Sequence, residues 1–89
     1  MTRNIDINYI KSELKKIQKY FLEQKYEKVI NKTTKLMKKN PNQVPFYNYI
    51  GLSYRQMGRN ENAEIIFKRG LEIFPNNLSI ICNLGALYR

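Results

Sequence analysis

The chain has 89 residues, a formal net charge of +9, one cysteine and no histidine. With 43% hydrophobic and 26% charged residues it reads as one small folded domain, too short for a nucleotide-binding domain joined to a substrate domain. A disulfide within the chain is excluded, a His/Cys zinc site nearly so, and no run approaches the roughly 20 apolar residues of a membrane span. The opening residues lack the apolar stretch of a signal peptide, so a cytoplasmic location and no membrane insertion are expected.

The elements follow from apolar spacing. Ile10, Leu14, Ile17 and Phe21 recur at four, three and four residues, one face of a helix. After a short turn near Glu23–Lys25, a second helix carries Tyr26, Val29, Ile30, Thr33, Leu36 and Met37 on one side. Pro41 and Pro45 bracket a break, and Pro45 fits the first turn of a third helix with Tyr47, Ile50 and Tyr54 as its stripe. Gly58, within MGRNEN, marks the next turn. A fourth helix holds Ala63, Ile66, Phe67 and Leu71 and is stopped before Pro75. A fifth carries Ile81, Leu84 and Tyr88. No segment alternates with period two, so the expectation is an all-α chain of five helices, each 10–16 residues long.

Charge is unevenly placed. Residues 1–43 hold 11 basic and 4 acidic side chains, and residues 44–89 hold 5 and 3. Lys11, Lys15 and Lys19 form one stripe; Lys28, Lys32, Lys35 and Lys39 form another, read as an outer, solvated face opposite Val29 and Thr33. An acidic partner, RNA or an anionic membrane surface would also suit such an excess. No arginine–aromatic interleaving accompanies the lysines, which disfavours nucleic acid.

The chain repeats itself at 34 residues. Pro41 and Pro75, Tyr20 and Tyr54, Val29 and Ala63, Met37 and Leu71, Ile50 and Leu84, Gly51 and Gly85, and Tyr54 and Tyr88 are all so related. Tyr47-x2-Ile50-Gly51-x2-Tyr54, then Ala63-x3-Phe67, then Pro75 resembles the tetratricopeptide repeat family. Residues 44–77 make the well-matched unit, and 78–89 match the first helix of an incomplete one. Residues 10–43 form a degenerate unit. In it Lys16 and Ile17 depart from the pattern, which suggests a first helix either slipped by a residue or slightly rotated, with a shortened turn. The resemblance implies one domain over 1–89: antiparallel helix–turn–helix repeats, about two and a half of them, stacked as a short right-handed superhelical solenoid. Gly51 and Gly85 would admit close helix approach, since each forgoes about 1 kcal/mol of helix propensity relative to Ala.

No enzyme chemistry is legible. There is no histidine base, Cys82 has no partner in sequence, and the glycines are isolated. Glu61 and Glu64 suit a helix N-terminus, and Glu64 can pair with Lys68 four residues on. The expectation is a non-enzyme with no cofactor, metal or catalytic residue.

What the resemblance implies instead is a protein–protein interaction module. First helices of such repeats line a concave groove for an extended peptide or partner helix. The matching positions are Lys11, Leu14 and Gln18, then Asn48, Leu52, Arg55 and Gln56, then Cys82, Ala86 and Arg89. The clamp with which some family members hold acidic chaperone tails is not expected, because Leu14, Gln18, Tyr49, Ser79 and Asn83 stand where lysines, asparagines and an arginine are needed. Two alternatives stay open: an N-terminal docking or regulatory segment of a longer bacterial enzyme, such as a sulfotransferase or glycosyltransferase, or a basic RNA-contacting adaptor. The partner expected is another protein or peptide, acidic ones included. Leu78, Ile80, Ile81, Leu84, Leu87 and Tyr88 are apolar over more than one face of the last helix, which suggests self-association through it.

Overall fold

A computed structural model describes residues 7–88. Among them are five α-helices and no strand: α1 (Ile7–Leu22), α2 (Tyr26–Lys39), α3 (Val44–Gln56), α4 (Asn60–Ile73) and α5 (Leu78–Ala86). The fifth, at nine residues, is shorter than expected. Each helix packs on the next in the chain, and α3 also touches α1 and α5. α3 is therefore central, in contact with all four others.

The boundaries have local causes. Pro45 lies in the first turn of α3, where its missing N–H costs little. α4 ends two residues before Pro75. Asn77 caps α5, its side chain accepting the Ile80 N–H at 3.0 Å. Gly58 leaves α3 with φ +78°, a left-handed conformation open to glycine.

The 34-residue period is carried by the backbone. α4 is α2 displaced by 34 residues at both ends. In the turns, Gln24 and Lys25 donate to the Phe21 and Tyr20 carbonyls, as Gly58 and Arg59 donate to those of Arg55 and Tyr54. The first turn is thus not shortened, contrary to expectation. Gln24, the counterpart of Gly58, adopts φ +62° without being a glycine. Nor is α1 slipped: Glu13 and Ile17 are buried at the positions equivalent to Tyr47 and Gly51. The side chains have been exchanged while the backbone kept its register.

The core is a continuous cluster of Ile10, Ile17, Val29, Leu36, Met37, Phe46, Tyr47, Ile50, Ala63, Phe67 and Ile80. At its centre α3 and α4 approach closely. A Cβ on Gly51 would lie 2.3 Å from Phe67 Cε1, so only glycine fits there. In the first unit the equivalent pair is Ile17 and Thr33, both fully buried: the large residue has moved to the first helix and the small one to the second. Gly70 is a second close approach, with Ile80 Cδ1 at 3.0 Å and Tyr47 Cβ at 3.1 Å from its would-be Cβ. Tyr47 is buried, and its hydroxyl donates to the Pro41 carbonyl at 2.7 Å.

Three expectations are corrected at single positions. Gly85 receives no neighbour: a Cβ there would meet nothing within 4 Å. The buried face of α5 centres on Ile80, whereas Ile81 and Tyr88 are exposed, because α3 and α4 cover only one side of that helix. Lys32 is not simply solvated like the exposed Lys28, Lys35 and Lys39 of its row, but partly buried. Its Nζ crosses from α2 to α1 and meets Glu13 Oε1 at 2.6 Å, and Lys16 meets the other carboxylate oxygen at 3.2 Å. The Lys32 hydrogen bond is the main reason that the Glu13 carboxyl titrates below its ordinary range, and the same bond raises the Lys32 ammonium.

Candidate functional site

Two hollows adjoin along α1 and α3. One, about 320 Å³, is lined by Lys11, Leu14, Lys15, Gln18, Pro45 and Tyr49. The other, about 410 Å³, is lined by Val44, Pro45, Asn48, Tyr49, Leu52 and Ser79. Pro45 and Tyr49 belong to both, so the two form one depression running from α1 across α3 to the start of α5.

Helical spacing builds it. Lys11, Leu14, Lys15 and Gln18 occupy one side of α1, next to the packed stripe of Ile10, Glu13 and Ile17. On α3, Pro45, Tyr49 and Leu52 recur at four and three residues and face away from Tyr47 and Ile50. Phe21 fixes Tyr49 from the α1 side, ring to ring at 5.7 Å and edge-on, and Phe21 itself meets Tyr26 at 5.4 Å. The α1 end of the depression is cationic through Lys11 and Lys15. The α3 end is largely apolar.

Five of the groove positions inferred from sequence come together here: Lys11, Leu14, Gln18, Asn48 and Leu52. Asn48 has a structural task as well. Its Nδ2 donates to Ser79 Oγ at 2.8 Å, and its Oδ1 accepts from Asn83 Nδ2 at 2.8 Å, which ties α3 to α5. Arg55 and Gln56 are exposed in the last turn of α3 and line neither hollow; Cys82 is exposed and Ala86 half-buried on α5, also outside them. Arg89 lies outside the described residues. Lys15, Val44 and Pro45 were missed, and Tyr49 and Ser79 entered the sequence reading only as departures from the acidic-tail clamp. Their signal was a second stripe on each first helix, one residue beside the packed one, and it is as regular as the first.

The last helix is tied back to α4. Tyr88 donates its hydroxyl to Glu64 Oε2 at 2.6 Å, and Lys68 meets the same oxygen at 2.9 Å, the i,i+4 pair expected from sequence. The Tyr88 hydrogen bond first, and then Lys68, holds the Glu64 carboxyl below its ordinary range. Among the described residues no three His, Cys, Asp or Glu side chains gather as metal ligands, and no helix is long and apolar enough to cross a membrane.

The sequence matches no protein-family model. Over 65 residues, 73% of the chain, it is 32% identical to anaphase-promoting complex subunit 3 of Schizosaccharomyces pombe, a tetratricopeptide-repeat protein. The match takes in 10% of that subunit, so the chain spans about a tenth of the length of the curated relative it resembles.

Proposed function

We propose that the chain is a tetratricopeptide-type interaction module whose helix pairs stack as a short right-handed solenoid, and that its first helices hold a partner peptide or helix. The observation that carries this reading is the depression that joins α1, α3 and α5 through Pro45 and Tyr49. It has the composition of a peptide site: apolar walls from Val44, Pro45, Tyr49 and Leu52, with Lys11, Lys15, Gln18 and Asn48 as polar points along them. The 34-residue displacement of helices and turn hydrogen bonds supports the repeat assignment, and so does the similarity to a subunit of a multiprotein complex.

A selection of random linear peptides against the chain tests the site. A selected peptide, titrated into isotope-labelled protein, should shift the amide signals of residues 11–18 and 45–52 most. Leu52→Glu should weaken it at least tenfold, about 1.4 kcal/mol, while the melting temperature stays near that of the parent. Shifts confined to other faces, or unchanged affinity in a folded Leu52→Glu variant, would show that the depression is not the site.

A further inference from the structure

Away from the depression, the face of the α1–α2 pair that no other described helix covers is built differently. On α1, Tyr9, Glu13, Lys16 and Tyr20 recur at four, three and four residues. On α2, Lys28, Lys32, Lys35 and Lys39 do the same. The antiparallel helices bring the two rows together. Lys28 Nζ lies 5.5 Å from the centre of the Tyr20 ring, and Lys32 meets Glu13. A hollow of about 330 Å³ between the rows is lined by Tyr20, Lys28, Asn31, Lys32 and Lys35.

The second unit shows what this face would otherwise be. Tyr47, Ile50 and Ile66 stand 34 residues after Glu13, Lys16 and Lys32 and serve packing, with Tyr47 and Ile50 fully buried. In the first unit those positions have become an ion-paired triad, and uncompensated lysines surround it. Lys28, Lys35 and Lys39 have no carboxylate partner among the described residues.

We propose that this face binds single-stranded nucleic acid. The lysine row rises about 6, 4.5 and 6 Å from one residue to the next at 1.5 Å per residue, a line of cations suited to a chain of phosphates. Read from sequence, the lysines lacked aromatic company. The fold supplies it from the other helix, with the Tyr20 ring beside Lys28 and the half-exposed Tyr9 in the same row. An acidic peptide fits less well, because the mainly apolar hollows that could anchor its side chains lie in the separate depression.

Fluorescence anisotropy with labelled oligouridylate and oligothymidylate tests the proposal across salt. Binding at low salt should fall with added salt, and the stronger of the two probes names the strand. Lys28→Gln with Lys35→Gln should flatten the slope of log K against log salt by about 1.4 and weaken binding at about 50 mM salt by roughly tenfold or more. Lys11→Gln with Lys15→Gln removes the same charge from the depression and should change binding far less. Circular dichroism confirms that both variants fold. Equal losses from the two pairs would overturn the proposal, since net charge alone would then account for binding. So would an absence of binding at low salt, or displacement of the strand by polyglutamate as readily as by unlabelled strand.

Discussion

Replacing Gly51 with alanine is the sharpest test of how α3 and α4 meet. On an exposed helix the change would stabilise by about 1 kcal/mol through propensity. Here the new methyl carbon would lie 2.3, 2.4 and 2.8 Å from three carbons of the Phe67 ring, against 3.4 Å or more in ordinary contact. The ring must withdraw by about 1 Å from a fully buried site. Overpacking costs about 1–3 kcal/mol. Three ring contacts under 3.0 Å at a fully buried site place this one at about 2–3 kcal/mol, so after the propensity gain a net loss of about 1–2 kcal/mol is expected. For a domain of this size that lowers the melting temperature by about 5–15 °C. Thermal and urea unfolding followed by far-UV circular dichroism would measure it. Phe67→Leu alone should also destabilise, by leaving a void, yet the Gly51→Ala, Phe67→Leu double variant should be more stable than the sum of the single losses by about 1 kcal/mol. If Gly51→Ala is as stable as the parent, or the double variant is merely additive, the close approach of α3 and α4 is wrong.

Further substitutions probe the first unit. Gln24→Gly should stabilise by about 0.5–1 kcal/mol, because relief of left-handed strain exceeds the added freedom of the unfolded chain; Gly58→Gln should do the reverse, and both are read from urea midpoints. Lys32→Ala should cost about 1–2 kcal/mol by leaving the buried Glu13 with Lys16 as its remaining partner, whereas the exposed Lys35→Ala should stay within about 0.5 kcal/mol. The pair also sets a pH window. Glu13 titrates lower in the folded state, so its contribution is present above its ordinary value of 4.5 and is lost as pH falls through the folded value. Lys32 titrates higher, so its share is present below 10.5 and is lost as pH rises through the folded value. Glu13→Gln should therefore flatten the acid limb of a stability–pH curve measured by urea unfolding. Thr33→Val should be neutral or stabilising by up to about 1 kcal/mol, because the buried Thr33 hydroxyl has no hydrogen-bond partner among the described residues; a clear loss in melting temperature would reveal one.

Helix positions were legible because packing selects apolar residues at helical spacing and because Pro45, Gly58 and Pro75 punctuate the turns. The 34-residue period was legible for the same reason. What the sequence concealed were exchanges across helices. Lys16 and Ile17 looked like a slip, but the backbone had not moved. Glu13 had entered a core position with its charge answered by Lys32, 19 positions along the chain, and Ile17 had taken volume that Thr33 gave up. Neither exchange has a signature within a single helix. At the candidate site, Lys11, Leu14, Gln18, Asn48 and Leu52 were found from the repeat alignment. Tyr49 entered the sequence reading only as a departure from the acidic-tail clamp, because its role as a wall of the depression depends on Phe21 of another helix packing edge-on against it. The phase of α5 was misjudged for a related reason: a helix covered on one side alone is free to turn any of several apolar residues inward, and Ile80 was the one taken.

The backbone match between successive turns makes the chain divisible. Gln43 and Asn77, the residues just before α3 and α5, are both extended, with φ −121° and ψ 108° in one and φ −76° and ψ 111° in the other. A second copy of residues 44–77 spliced between Asn77 and Leu78 would meet a compatible junction at each end. Phe46 of the inserted copy would take the seat that Ile80 holds, and the original α5 would close the new pair as it now closes α4. Because each unit in such an array is stabilised by its immediate neighbours, the lengthened protein should gain two helices and unfold at a higher urea concentration. Nature's own variation on the theme already stands in the first unit, where the same backbone tolerates an ion triad in place of a tyrosine and two isoleucines.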